Sequence, residues 1–240
     1  MRLVYIYHSG FVVEAEGFSM IIDYYKDTLP KYDKGLVRDY FLKSAKPLYV
    51  LSSHVHPDHF NPEVLEWKKR NPSIRYIFSK DILGRRGVTP GDACFLEKGE
   101  VFSDGCLSVR AFGSTDVGIS FLIEAEGRKI FHAGDLNNWH WKDESIPEEV
   151  QKSEMDFFSE LDDIARFTNA VDVAMFPVDP NMGTDYMLGA RQFVERVQTG
   201  LFVPMHFGEN YEGGMAFKEC AEQSGARFFA FRQRGEAIEI

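Results

Sequence analysis

His54-Val55-His56-Pro57-Asp58-His59 places three imidazoles and one carboxylate within six residues. The stretch follows directly on the apolar run Pro47–Ser52, which reads as a buried strand, so the cluster sits in a loop at a strand end. In an extended loop His54 and His56 project to the same side and can grip one ion. The turn at Pro57-Asp58 lets Asp58 and His59 reach a second. Imidazole and carboxylate together suit Zn²⁺, Mn²⁺ or Fe. Three histidines and an aspartate at this spacing should arise by chance in on the order of one chain in a thousand or fewer. The pattern therefore reads as metal chemistry rather than as a solvated loop that happens to be rich in histidine.

Outward from this loop, the first half of the chain reads mainly as β-structure. Leu3–Tyr7, Phe11–Glu14 and Phe18–Ile22 are apolar runs broken by Ser9-Gly10 and Glu16-Gly17 turns. Leu36–Lys43 reads as a helix, and Asn61-Pro62 opens another, with Asn as cap and Pro at the first helical position. Strands follow at Arg75–Phe78, Cys106–Phe112, Ile119–Ile123 and Lys129–Phe131. The second half turns helical. Ser145 and Glu148 have capping-box spacing before Phe157, Leu161 and Ile164, which recur at helical intervals. Val171–Phe176 and Leu201–Val203 read as strands, with a helix between them that Thr184 caps. Met215–Ser224 is a last helix, closed by Gly225 before the strand Arg227–Phe231. This order suggests two sheets packed face to face with helices outside, in a single domain over residues 1–240.

Beyond the loop, four further blocks carry a resemblance. HVHPDH matches the HxHxDH motif of the metallo-β-lactamase superfamily. Tyr7–Glu14 (YHSGFVVE) resembles the N-terminal strand pair of its lactonase-like branch, and Ile21-Ile22-Asp23 the "LID" that follows. Phe131–Asp135 (FHAGD) resembles its "HAGD" segment, and Val203–Gly208 (VPMHFG) its "IPMHYG" segment. The blocks stand in the family's order and span nearly the whole chain. The resemblance implies a four-layer αββα sandwich with metals at one edge. It also implies one site using His54 and His56, and another using Asp58, His59 and His206, with Asp135 between the two ions. Asp58 and Asp135 would flank the reactive water.

The chain departs from the family at one ligand. Gly113 stands where a third histidine of the first site is expected, and glycine has no side chain to donate. Asp116 or His140 could substitute, water or substrate could fill the gap, or one ion alone could bind firmly. His8 and His132, at strand ends facing the site, read as residues that orient a ligand or touch substrate. Trp139 and Trp141 flank His140 and read as a pocket wall. The segment from Tyr24 to Arg38 mixes aromatics and cations that could overhang the site, and Asp179–Asp185 reads as part of its rim.

These residues imply a hydrolase using metal-activated water on a small ester, lactone, amide or phosphoester, with a divalent metal, zinc first and Mn or Fe next, at one or two ions per chain. A phosphodiesterase or nuclease of the same fold is the second reading. A non-catalytic metal-binding or sensor module is the third. A net charge of −10 argues against a nucleic-acid partner. No run approaches the roughly 20 apolar residues that span a bilayer, and no signal-peptide pattern opens the chain, so a cytoplasmic protein is expected. The three cysteines, Cys94, Cys106 and Cys220, are too few and too scattered for a disulfide framework and read as small buried hydrophobes.

Overall fold

The computed structural model describes residues 1–29 and 34–240. Its first sheet runs in the order β14-β1-β2-β3-β4-β5-β6, from β1 (Arg2–Tyr7), β2 (Gly10–Glu14), β3 (Ser19–Ile22), β4 (Leu48–Ser52), β5 (Arg75–Ser79), β6 (Cys94–Leu96) and β14 (Ala237–Glu239). The second runs β13-β12-β11-β10-β9-β8-β7, from β7 (Val101–Ser103), β8 (Leu107–Phe112), β9 (Ser120–Ala125), β10 (Arg128–His132), β11 (Ala170–Pro177), β12 (Gln198–Met205) and β13 (Arg227–Phe228). The helices are α1 (Leu36–Asp39), α2 (Pro147–Phe167), α3 (Leu188–Arg196), α4 (Tyr211–Met215) and α5 (Lys218–Gln223).

Period-two alternation explains why the first sheet is buried on both faces. Leu3, Tyr5, Phe11, Val13, Met20 and Ile22 join the core between the sheets. Their neighbours Val4, Ile6, Val12 and Ile21 pack outward against Val37 and Phe41, and against Val64 and Trp67 of the 3-10 segment Pro62–Lys69. On the other side, α2 turns Phe157, Leu161 and Ile164 onto the second sheet, and α3 turns Ala190 and Phe193. The result is the αββα sandwich that the resemblance implies.

Strand direction places the site. In the first sheet β1 is antiparallel to β2 and β2 to β3, while β3, β4 and β5 are mutually parallel. Two reversals restore direction, so β1, β3 and β4 all point the same way. In the second sheet β8 and β10 flank the reversed β9, and β10, β11 and β12 are parallel. The loops that leave β1, β3, β4, β8, β10, β11 and β12 at their C-terminal ends carry every cluster residue described below. Crevices beyond such strand ends are the usual ligand sites of α/β sheets.

Several local readings are corrected. The helix expected at Leu36–Lys43 is one short turn of α-helix followed by the 3-10 turn Phe41–Lys43, and Asn61 caps a 3-10 segment by accepting from the Glu63 N–H. The long helix starts at Pro147 with Ile146 at its cap, where Glu149, not Glu148, receives the Ile146 N–H. Met187, not Thr184, stands at the cap of α3. The helix expected at Met215–Ser224 is shortened to α5, with α4 ending where it was to begin, and Gly225 follows α5 at φ +88° as a C-terminal glycine should. The short strands β6, β7 and β14 carry too few residues for an alternation to show. Cys94 and Cys106 are exposed and Cys220 is half-buried, so the buried-hydrophobe reading fails for all three. Among the described residues no helix is long and apolar enough to cross a membrane.

Phe176 of β11 is fully buried, with Phe193 at 4.8 Å, Phe157 at 6.3 Å and Phe202 at 6.4 Å between ring centroids. Phe176→Ala should lower stability in urea unfolding by about 3–5 kcal/mol. A loss under about 1 kcal/mol would mean that this layer collapses onto the gap.

Candidate metal centre

Two groups of ligand-capable atoms form where the strand ends converge. His8, Asp58, His59 and His206 make one, and His54, His56, Asp116 and Asp135 the other, each with its ligand atoms within 4.8 Å of one another. Asp135 lies between them. Its Oδ2 is 3.3 Å from His54 Nε2, and its Oδ1 is 3.0 Å from His59 Nε2 and 3.4 Å from His206 Nε2. In the first group Asp58 Oδ2 is 3.3 Å from His8 Nε2 and 3.7 Å from His59 Nε2. In the second, His56 Nδ1 is 3.0 Å from His54 Nε2 and 3.1 Å from Asp116 Oδ2.

Proximity here is not hydrogen bonding. His8 Nε2, His59 Nε2 and Asp135 Oδ1 are buried and make no well-aligned hydrogen bond among the described residues, although His59 and Asp135 are 3.0 Å apart. Orphaned buried polar atoms are costly in a folded protein, and a cation among them would satisfy them together. The donor set therefore fits a metal.

A second tier holds the imidazoles in place. Asp23, fully buried just after β3, accepts His59 Nδ1–H at 2.8 Å, the Ser53 hydroxyl at 2.6 Å and the Ser53 N–H at 2.7 Å. Asp179 accepts His206 Nδ1–H at 3.0 Å, and the Ser53 hydroxyl oxygen lies 3.0 Å from His54 Nδ1. Each contact leaves the opposite ring nitrogen directed at the cluster, as metal-ligating histidines require. Trp139 donates its indole N–H to the Asp135 carbonyl at 2.7 Å and sets its ring edge against His206. Gly134, at φ +55°, brings its backbone close to the Ser53 side chain, where a Cβ would lie 2.8 Å from that of Ser53.

The charges follow this geometry. Burial raises the pKa of Asp135, but His59 and His206 outweigh it and hold the carboxyl well below its usual range. Burial likewise opposes the charge on His59, yet Asp135 and Asp23 push it well above the usual imidazole value. His206 is raised, with Asp135 and Asp179 overcoming burial. His8 and His132 go the other way: burial lowers both, more than Asp58 and Asp23 raise them. The carboxylates thus favour positive charge in the pocket.

The other expected residues sort clearly. His8 is a member of the first cluster rather than a residue behind it. Asp116 reaches His56. His140 does not approach either cluster, because it is tied to the Asp185 carbonyl at 3.2 Å and the Lys142 N–H at 3.2 Å. His132 is fully buried behind the site, bonded to the Ser9 carbonyl at 2.9 Å and the Gly134 N–H at 3.1 Å, and so fastens the His8 turn to β10. Gly113 does not face the cluster: a Cβ there would run into the Glu160 carboxylate of α2. Asp23, Ser53 and Asp179 escaped the sequence reading as orienting groups. The LID resemblance marked the position of Asp23 and the rim reading that of Asp179, nothing marked Ser53, and only the fold shows which imidazole each one holds.

A family model described as a beta-lactamase superfamily domain matches residues 2–150. A protein of Desulforamulus reducens named UPF0173 metal-dependent hydrolase is 23% identical over 262 aligned positions, covering 100% of both chains. Igni18, a metallo hydrolase from Ignicoccus hospitalis, superposes with a TM-score of 0.68 at 21% identity, over 100% of this chain and 98% of its own. CmlA, a diiron β-hydroxylase from Streptomyces venezuelae, shares the fold at a TM-score of 0.67 and 14% identity, with 54% of its chain covered. The matched model spans more than half of the chain and includes the histidine loop, so this protein belongs to the metallo-β-lactamase superfamily.

Proposed function

We propose that the protein is a metal-dependent hydrolase of small ester, lactone, amide or phosphoester substrates, with its metals held by the two clusters. The carrying observation is the set of buried, unpartnered atoms on His8, His59 and Asp135, with Asp135 Oδ1 3.0 Å from His59 Nε2. The relatives' name, metal-dependent hydrolase, agrees with this reading.

On this account His8, Asp58, His59 and His206 hold one ion, and His54, His56 and Asp116 hold the other, with Asp135 serving both. Asp116, 3.1 Å from His56, supplies the ligand that the sequence pattern expected of a histidine. Divalent ions there would lower the pKa of water in their shell from roughly 15.7 to about 7 and polarise the attacked group. Zinc is the first candidate, while the two carboxylates in the Asp116 cluster also suit manganese or iron. Asp58, whose side chain is 35% exposed, is the carboxylate of its cluster that water can reach. It orients the attacking water at its oxygen and takes its proton, and the His8 Nε2 lies 3.3 Å from Asp58 Oδ2. Asp135 stays buried and ionised, offsetting the positive charge of the ions it would hold. Asp23 and Asp179 keep the His59 and His206 rings from turning.

With 4-nitrophenyl esters, lactones and bis-4-nitrophenyl phosphate as a panel, the metal-loaded protein should turn over at least one class. The double variant His54→Ala/Asp135→Ala should lose that activity, and undiminished turnover would defeat the hydrolase reading. Asp179→Asn removes the charge behind His206 without touching the cluster, so a chelator titration should show metal affinity weakened about 10–100-fold. Gly113→His should add no ligand. Elemental analysis should give an unchanged metal content and urea unfolding a lower midpoint, because the new ring meets Glu160. A gain of metal in that variant would contradict the assignment of Asp116.

A further inference from the structure

Beside the His8 edge of the clusters lies a cavity of about 250 Å³, lined by Tyr25, Lys26, Asn61 and Arg234 together with Arg38 and Glu63. Its walls are chain neighbours of the proposed ligands. Tyr25 and Lys26 follow Asp23 after β3, and Asn61 comes two residues after His59. Tyr7, the residue before His8, packs against Tyr25 at 5.8 Å and stands 6.2 Å from the His8 ring. Cations gather on these rings. Lys26 Nζ sits 4.3 Å from the Tyr25 centroid and 5.3 Å from that of Tyr7, while the Arg234 guanidinium lies 3.7 Å from the Tyr7 centroid.

Two carboxylates, Glu63 and Asp27, also line the cavity, and both are engaged. Glu63 takes a bidentate contact from Arg38, at 2.6 Å to each oxygen. Asp27 accepts the N–H groups of Val37 and Arg38 at the start of α1. Glu209 pairs with Arg234 at 2.5 Å, but its side chain is 67% exposed and that of Arg234 only 17%. The Arg234 charge is therefore held inside the cavity while its partner sits in water, where pairing is weak. Two cations fixed on aromatic faces, in a chain whose net charge is −10, form a local anion site next to the clusters.

We propose that this cavity is a substrate subsite for a carboxylate, so that the hydrolase acts on small substrates carrying a free carboxylate away from the scissile bond. The proposal rests on the hydrolase reading for the chemistry but not for the binding. Lys26 and Arg234 receive the carboxylate, and Tyr7 and Tyr25 fix the two cations in place. The anchored end orients the scissile bond over Asp58 and His8.

Two measurements separate the proposal from the reading beneath it. With metal-loaded protein, mono-4-nitrophenyl glutarate should be preferred to 4-nitrophenyl butyrate. Lys26→Met and Arg234→Met should each raise KM for the glutarate ester about tenfold, equivalent to roughly 1.4 kcal/mol, and leave kcat/KM for the butyrate ester unchanged. Equal effects on both esters, or no preference in the parent protein, would overturn the subsite while leaving the hydrolase intact. If neither ester is cleaved, the hydrolase reading is what suffers, and calorimetric titration of glutarate into the chelator-treated protein decides the subsite alone. Binding that weakens about tenfold in Lys26→Met but not in Lys152→Met supports it. Absence of glutarate binding to the parent protein, or binding of inorganic phosphate alone, contradicts it.

Discussion

Asp23 and Asp135 are buried carboxylates, and leaving either without compensating charge would cost several kcal/mol. The protein meets this constraint by drawing imidazoles toward both from separate strand ends. His59 touches Asp23 on one ring nitrogen and Asp135 on the other, so the histidine loop cannot shift without exposing two charges. His206, arriving from the second sheet, lies between Asp135 and Asp179. Rigidity at the site is thus an electrostatic consequence of burial, and the two sheets are coupled through it.

That coupling has a local cost in backbone strain. His8, Asp23 and His206 all adopt left-handed backbone at φ +59°, +48° and +66°, a region that side chains other than glycine rarely occupy. Each stands immediately after a strand whose direction points at the site, and each turns sharply so that its side chain returns over the strand ends. The His8 turn is held open by His132 on the Ser9 carbonyl and by the Tyr5 hydroxyl, which accepts the His8 N–H at 2.8 Å. Strain on both sheets is spent on the same few cubic ångströms, which is what a pre-organised centre requires.

Much of this was legible from the chain alone, for physical reasons. The HVHPDH loop follows a short apolar strand, and the apolar runs Leu3–Tyr7 and Phe11–Glu14 read as strands. These features depend on residues close in sequence. Cluster membership does not. Whether His8 joins Asp58, or His140 turns away to the Asp185 carbonyl, depends on contacts between residues tens to hundreds of positions apart. The Gly113 gap illustrates the difference. The missing histidine is visible by position, but its irrelevance to the cluster follows only from the Glu160 carboxylate standing where its side chain would begin.

We propose that each of these two groups holds one cation. Crystals equilibrated with Mn²⁺ and measured at the manganese edge test it by anomalous scattering. Two peaks are expected, one among His8, Asp58, His59 and His206, the other among His54, His56, Asp116 and Asp135, with Asp135 reaching both. A peak outside these groups, a single peak that leaves Asp116 unengaged, or none at all would contradict the account.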